Sequence, residues 1–427
     1  MEKSSFVIVG AGIFGVSTAF HLSRSFPQAK ITLIDRKTPN QAAASSDLNK
    51  VVRADYDDIV YMQLGLEAQE SWRTDPLFKP WYHESGLIMA EPRGVGRKAY
   101  DNFRKLGHTD IGEMLSPAEV ARRFPVFQNA NWGGVGDCLY NPTSGWAEAD
   151  EALAGLVQAA VDRGVEFKTG TVQKLAFADS RECCGVLLAV DGANKTELVA
   201  ADTTVLCVGA YTAQLLADSA PDWDELQAGE RIVAVGAVQC TASYPEEEEE
   251  KLKDAPFLFL DFPHTEGEVI PAHKGLLKFN SDKSFTNLVY HDGLKMNISI
   301  PPSKPSQMTF GQDVPESLKE AARKVVENTY GKSIRGLQIE SYRMCWDAMS
   351  PDQDWVIDYH PKCKNLFVGS AGSFHAWKFM PIIGKYMVQG LRRTLGDEMT
   401  RKWAWDRETT GTSACSHYAP SHDLKDL

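Results

Sequence analysis

At 427 residues the chain is too long for one small core, and two interleaved domains are expected. Hydrophobic residues at 43% and charged residues at 24% are ordinary for a soluble globular protein, while a net charge of −12 argues against a nucleic-acid footprint. The eight cysteines are scattered without CxxC spacing, so neither a disulfide framework nor a metal site is expected, and their usage fits a reducing, intracellular compartment.

The first stretch is the most informative. Phe6, Val7, Ile8 and Val9 form an apolar run that ends in Gly10-Ala11-Gly12-Ile13-Phe14-Gly15. A run with helical spacing follows, and then a second apolar run, Ile31 to Ile34, that stops at Asp35-Arg36. Strand, glycine turn, helix, strand and terminal acid are the parts of a dinucleotide site. Gly10 allows the tight turn, Gly12 lets a pyrophosphate reach the backbone, and Gly15 lets helix and strand pack closely. The helix start supplies free N–H groups for phosphate. Asp35 stands where an acid binds ribose hydroxyls, which favours FAD or NAD over NADP. With residues 6–10 forming a strand, no signal peptide is expected. No apolar run is long enough to span a membrane, and no membrane partner is expected.

Residues 45–56 carry Lys50 and Arg53 three apart, a spacing that places both bases on one face of a short surface helix. Residues 60–73 read as an amphipathic helix, and residues 117–124 as a helix capped by Ser116. A clear helix covers residues 148–163, and residues 165–177 read as a strand pair in which Val172 presents its backbone to an adenine. Residues 203–208 form another apolar strand ending at Gly209, returning to the nucleotide sheet after an insertion. Residues 246–250 are a glutamate run read as a solvated helix start. Residues 230–300 mostly alternate, which predicts an antiparallel sheet. A helix is expected over 315–331, strands near 340–346, 355–358 and 365–369, and a helix over 382–395 stopped by Gly396. The tail after about residue 405 has no periodic pattern and is expected to be poorly ordered. Nucleotide-type strands thus lie at both ends and in the middle. That predicts a mixed α/β fold: a Rossmann-like FAD-binding domain (1–90, 145–225, 340–400) interleaved with an antiparallel-sheet substrate domain (91–144, 226–339), then a C-terminal tail (401–427).

With those motifs placed, the chain resembles the monomeric sarcosine oxidase family, which includes fungal fructosyl amine oxidases (amadoriases) and the pipecolate and saccharopine oxidases. The resemblance runs from about residue 5 to 395. It rests on the glycine fingerprint with Asp35-Arg36, on residues 45–53 (SSDLNKVVR), on Ser144-Gly145-Trp146, on Gly275-Leu276-Leu277-Lys278, on Met344-Cys345-Trp346-Asp347, and on residues 370–378 (SAGSFHAWK). It implies a glutathione-reductase-type, DAO-like fold and an FAD attached through a thioether to Cys345. The implied reaction is oxidation of a secondary amine by hydride transfer to the flavin, with O2 reduced to hydrogen peroxide. The implied site residues are Arg53 and Lys378 as a clamp for the substrate carboxylate, Lys278 as the charge that activates O2, and Lys50 as a further base facing the flavin. The cofactor set extends to Gly10, Gly12, Ile13, Phe14, Gly15, Asp35, Arg36, Ser45, Ser46, Asn49, Val172, Gly209, Gly372, Phe374, His375 and Lys378. His375 could equally be a hydrogen-bonded loop residue, and no acid stands out as a general base.

One segment departs from the fructosyl amine oxidases, which carry an acid-rich stretch after the strand lysine that ends in a sugar-contacting glutamate. Here residues 278–283 read KFNSDK, leaving only Asp282 to fill that place. Residues 45–56, 81–90 and 278–287 look more like the saccharopine and pipecolate oxidase branch. The resemblance therefore implies an amino acid with a secondary amine as substrate, saccharopine first, with a fructosyl amine or an oxidative ring closure as alternatives. A non-catalytic flavin-binding protein would not need Lys278, Cys345 and Lys378 together. A nicotinamide dehydrogenase would need a second fingerprint, and none is visible. A monomer without nucleic-acid partners is expected, in the cytoplasm or the peroxisome. The final Lys425-Asp426-Leu427 is not the Ser-Lys-Leu address.

Overall fold

The computed structural model describes residues 1–37, 40, 43–90, 93–190, 196–262, 265–302, 313–409 and 420–427. Parts of the loop after Arg36 (38, 39, 41 and 42) and of the expected tail (410–419) lie outside the described residues.

The chain opens with β1 (Ser5–Val9), α1 (Ile13–Ser25) and β2 (Lys30–Asp35), the elements the glycine fingerprint predicts. Among the described residues, six strands form one sheet in the order Val356–Tyr359, Leu366–Ser370, Thr203–Leu206, β1, β2, Glu166–Thr169. All neighbouring pairs are parallel except the Val356–Tyr359 edge. Continuous apolar runs suit such strands because both faces are covered, one by helices and the other in large part by a three-stranded sheet, Thr171–Phe177, Cys183–Ala189 and Thr196–Ala200. Helix α1 packs closely on the Met380–Leu391 helix: a side chain at Gly384 would fall 2.0 Å from the Ser17 carbonyl oxygen. Ser17 Oγ also donates to the Met380 carbonyl at 2.7 Å and accepts from the Gly384 N–H at 2.9 Å.

The second large sheet runs Gln338–Met349, Val233–Ser243, Leu276–Thr286, Thr265–His273, Phe257–Phe262, Leu87–Ala90, Cys138–Asn141, Glu113–Leu115. It is antiparallel through its first five strands, as the alternation over 230–300 predicts. The Glu316–Tyr330 helix buries Leu318, Ala322 and Val325 against the second core cluster.

Several expectations need correction. Asn49–Val52 is not helical. It is β3, paired antiparallel with Gly145–Glu148, because Val51 and Val52 are β-branched and a strand partner is available to them. The strands in 165–177 do not pair with each other: Glu166–Thr169 joins the parallel sheet, and Thr171–Phe177 starts a separate three-stranded sheet. The helix expected to run to residue 395 ends at Leu391. Arg393 takes the left-handed conformation (φ 57°) usually given to glycine at a helix C-terminus, with Arg393 N–H bonded to Gly390 O and Thr394 N–H to Gln389 O. Gly396 instead precedes the next helix, Asp397–Lys402. The far tail is anchored, since His422–Asp423 pairs with Phe285 and Thr286 of the Leu276–Thr286 strand.

Candidate active site

The larger of the two described cavities measures about 590 Å³ and opens along the ends of β1, β2 and Thr203–Leu206. Its lining includes Gly10, Gly12, Ile13, Phe14, Asp35, Arg36, Ser45, Lys50, Val172, Gly209, Cys345, Gly372 and Phe374, all candidates from the sequence. The chain shapes this groove with main chain and short side chains. Gly10 adopts φ 97°, and a side chain there would meet the Cys207 carbonyl at 2.3 Å. Asp35 is fixed by N–H groups: its Oδ2 accepts from Ala11 at 2.7 Å, and its Oδ1 accepts from Arg36 at 2.6 Å. Ser45 Oγ accepts from the Ile13 N–H at 3.0 Å, where α1 begins without a side-chain cap of its own. Gly209, at φ 52°, faces open space on the cavity wall. A long groove, glycines where a ligand must approach the backbone, and an acid at the ribose position together fit FAD.

Other candidates lie nearby but off this wall. Gly15 is a packing residue, because a side chain there would come within 1.8 Å of the Gly10 carbonyl oxygen. Ser46 Oγ is turned toward Asp150 Oδ1 (2.5 Å), and Asn49 Nδ2 toward the Pro271 carbonyl (3.1 Å). His375 sits in an aromatic box with Tyr61 (4.9 Å), Trp355 (5.7 Å) and Tyr56 (5.8 Å). Burial, with the Lys378 charge beside it, pushes the His375 imidazole down to about 3, so it stays neutral. The ring is bonded through Nε2 to the Gln353 carbonyl (2.9 Å) and through Nδ1 to Tyr56 Oη (3.3 Å), the hydrogen bonding of an ordered loop residue.

The second cavity, about 90 Å³, adjoins the first and shares Lys50, Cys345, Phe374 and Trp377 with it. Lys278, Asn280 and Asp282 alternate along one strand, so all three point to the same face, and all line this cavity. Gln239 lies directly across from Asn280 and from Arg343, and Ala237 across from Cys345. The antiparallel sheet thus forms one wall, and Phe374, Trp377 and Lys378 close it from the other side. The closing loop is strained: Ala371 (φ 60°), Ser373 (φ 48°) and Phe374 (φ 60°) are all left-handed without being glycine. It is held by main-chain bonds, Phe374 N–H to Asp347 Oδ2 at 2.8 Å and Ser373 N–H to Ala348 O at 2.9 Å.

The charged groups fall into two sets. Lys378 Nζ donates to Tyr56 Oη at 3.0 Å and to the His375 carbonyl at 2.7 Å, and the Arg53 guanidinium carbon lies 4.7 Å from the Tyr56 ring centre. Tyr56 therefore gathers Arg53 and Lys378, although Arg53 is not among the residues lining either cavity. In the second set, Lys278 and Lys50 converge on Asp47 Oδ2, at 2.5 and 3.0 Å. Burial pushes the Lys278 ammonium down and Asp47 pulls it back up, leaving it at about 8. Burial would raise Asp47, but the Lys278, Lys50 and Arg343 charges hold its carboxyl well below the usual range. Sequence reasoning assigned Tyr56 and Asp47 no role. The available signal for Asp47 was an acid three positions from Lys50 in a stretch otherwise free of acids.

A family model described as FAD dependent oxidoreductase (DAO) matches residues 5–389. L-saccharopine oxidase of Schizosaccharomyces pombe is 29% identical over 419 residues, covering 93% of this chain and 92% of that one. The peroxisomal sarcosine oxidase of Mus musculus is 24% identical over 393 residues, covering 90% of each. Among solved structures, the fructosyl peptide oxidase from E. terrenum superimposes with a TM-score of 0.84 at 26% identity, covering 100% of this chain and 98% of that one.

Proposed function

The chain belongs to the FAD dependent oxidoreductase family, and from that premise we propose that it is an oxidase of a secondary amine that carries a carboxylate. The observation that carries the proposal is the meeting of two cavities at one wall: Lys50 and Cys345 line both, and Lys278 and Lys378 line the smaller. Gly10, Gly12, Asp35 and Ser45 would hold FAD in the larger cavity, where it would supply a two-electron acceptor for the amine, with O2 as the final acceptor and hydrogen peroxide as the product. The chain's own residues bind, orient and set charge. Lys378 and Arg53 hold the substrate carboxylate, Arg as a fork and Lys as a point charge. Lys278 presents the positive charge at which O2 is reduced, since a fixed cation stabilises developing negative charge. Cys345 provides the thioether link to the flavin. In support, its thiol belongs to both cavity walls and lies on the sheet face that bears Arg343.

Saccharopine, a secondary amine with several carboxylates, is the first substrate to try, in line with the S. pombe relative. A fructosyl amine is the second reading, favoured by the fructosyl peptide oxidase likeness and by Asp282 lining the small cavity. The domain division belongs to the same proposal. It places Leu87–Ala90 and Gln338–Met349 with the substrate sheet they pair into, and the rest of 1–90, 145–225 and 340–400 with the nucleotide domain. So do a monomeric state and a cytoplasmic or peroxisomal location. No helix among the described residues is long and apolar enough to cross a membrane.

The test is anaerobic bleaching of the flavin absorbance by L-saccharopine, L-pipecolate, sarcosine, N-methyl amino acids and fructosyl-valine. Rapid bleaching by an amino acid is expected. Bleaching by fructosyl-valine alone would move the assignment to the second reading, and no bleaching by any of them would remove the proposal.

A further inference from the structure

A buried carboxylate that binds two lysines at once needs a reason, because its desolvation is costly unless every lone pair is used. Asp47 uses them all. Its Oδ2 accepts from Lys278 and Lys50, and its Oδ1 accepts from Gln239 Nε2 at 3.1 Å and from the Leu48 N–H at 2.8 Å. The carboxylate side chain is 1% exposed. Its own backbone is pinned as well: the Asp47 N–H donates to Asp150 Oδ1 at 2.8 Å, and the Asp150 N–H donates to the Asp47 carbonyl at 3.2 Å. The Lys278 ammonium is further fixed by the Asn49 carbonyl at 2.8 Å.

We propose that Asp47 is a positioning residue of the active site, one carboxylate that holds Lys278 and Lys50 together against the Cys345 wall and sets the pH range over which Lys278 stays charged. The proposal concerns the lysine named in the proposed function and rests on that reading for its catalytic meaning, but its geometry stands alone.

Around Lys278 the charged or titratable groups are few on each neighbouring element. The loop before β3 brings Asp47, and β3 brings Lys50. The Val233–Ser243 strand brings Cys240. The Gln338–Met349 strand brings Arg343 and Cys345. The Thr265–His273 strand brings Glu268, the lysine's own strand brings Asp282, and the closing turn brings Lys378 to the same cavity. Of these, Asp47 accepts directly from the ammonium through its carboxylate, at 2.5 Å. Burial and Lys50 both disfavour the charged form of Lys278, and Asp47 opposes them. Removing the Asp47 charge leaves two downward influences with little to balance them, so the lysine loses its proton at lower pH. Removing Lys50 has the opposite sign: a like charge disappears, and Asp47 Oδ2 is left to Lys278.

The experiment is a pH titration of the Lys278 side-chain nitrogen by NMR, in holoenzyme labelled on lysine, without substrate and without turnover. Loss of the resonance in Lys278→Met provides the assignment. Asp47→Asn is expected to move the titration midpoint down by about 1–3 pH units, and Asp47→Glu to restore most of it. Lys50→Met is expected to move the midpoint up. An unchanged midpoint in Asp47→Asn overturns the proposal. If Asp47→Asn does not fold, Lys50→Met decides: a midpoint that stays or falls overturns it. The oxygen role of Lys278 is tested separately, by flavin reoxidation in Lys278→Met. Normal reoxidation there would sink that role and leave the titration result standing.

Discussion

The nucleotide end and the substrate end of this site are built by different means. The 590 Å³ cavity draws its lining from residues 9 to 377, but its glycine turn and acid, Gly10 to Asp35, come from one short run of chain and act through backbone and N–H groups. The 90 Å³ cavity is shaped by long charged and polar side chains from β3, four strands of the large sheet and the Phe374–Lys378 loop, segments more than 300 residues apart. At the first end an extra atom is the hazard, because a Cβ at Gly10 or Gly15 would run into a carbonyl oxygen. At the second a changed charge is the hazard, because the groups are held by one another. Volume errors should therefore abolish cofactor retention at one end, while charge errors should alter individual rate constants at the other.

The largest effect expected is at Gly15. Gly15→Val pushes atoms into the Gly10 carbonyl, which lies 1.8 Å from the first added carbon. A cost of about 4 kcal/mol or more is expected, read as protein without flavin absorbance. Flavin at normal occupancy would break the contrast. Lys278→Met comes next: flavin reoxidation should slow by about 10²–10³-fold with reduction little changed, and stopped-flow traces showing equal slowing of both steps would refute it. Lys378→Met should weaken carboxylate inhibitors by about 10–100-fold, the worth of a charge-assisted hydrogen bond, while amide analogues stay unaffected. Cys345→Ala should leave affinity for flavin largely intact but let acid denaturation release it into the supernatant; a yellow pellet would place the link elsewhere. The effect confined to acid pH concerns His375. Its folded value lies at about 3, below the ordinary 6.5, so the unfolded chain binds more protons between those limits. Stability is therefore lost as pH falls from 6.5 toward 3, and His375→Gln should flatten that dependence in thermal melts.

Legibility in the sequence followed the same division. The Gly10–Asp35 unit was readable because its signals are local: one strand, one turn, one helix and one acid. Ser116 likewise announced its helix, where Glu119 completes a capping box. The strand lysine Lys278 was readable through its motif. Its partner was not, since Asp47 lies 231 residues away and the pair exists only after two sheets meet. Residues 49–52 misled for a related reason. The Lys50 to Arg53 spacing suits a helix face, but pairing with Gly145–Glu148 overrides it. The helix end at Leu391 was missed because Arg393 fills a position where glycine is the usual marker.

The strained loop carries a lesson for anyone wishing to retune this enzyme. Phe374 is at once a backbone outlier and one of the four residues that line both cavities. Glycine at 374 would relax a backbone that costs about 1–3 kcal/mol to hold, while giving up the contacts of a half-buried aromatic ring. It would also take away a side chain that shapes both cavities. Backbone ease and the shape of the site are thus set against each other at a single codon.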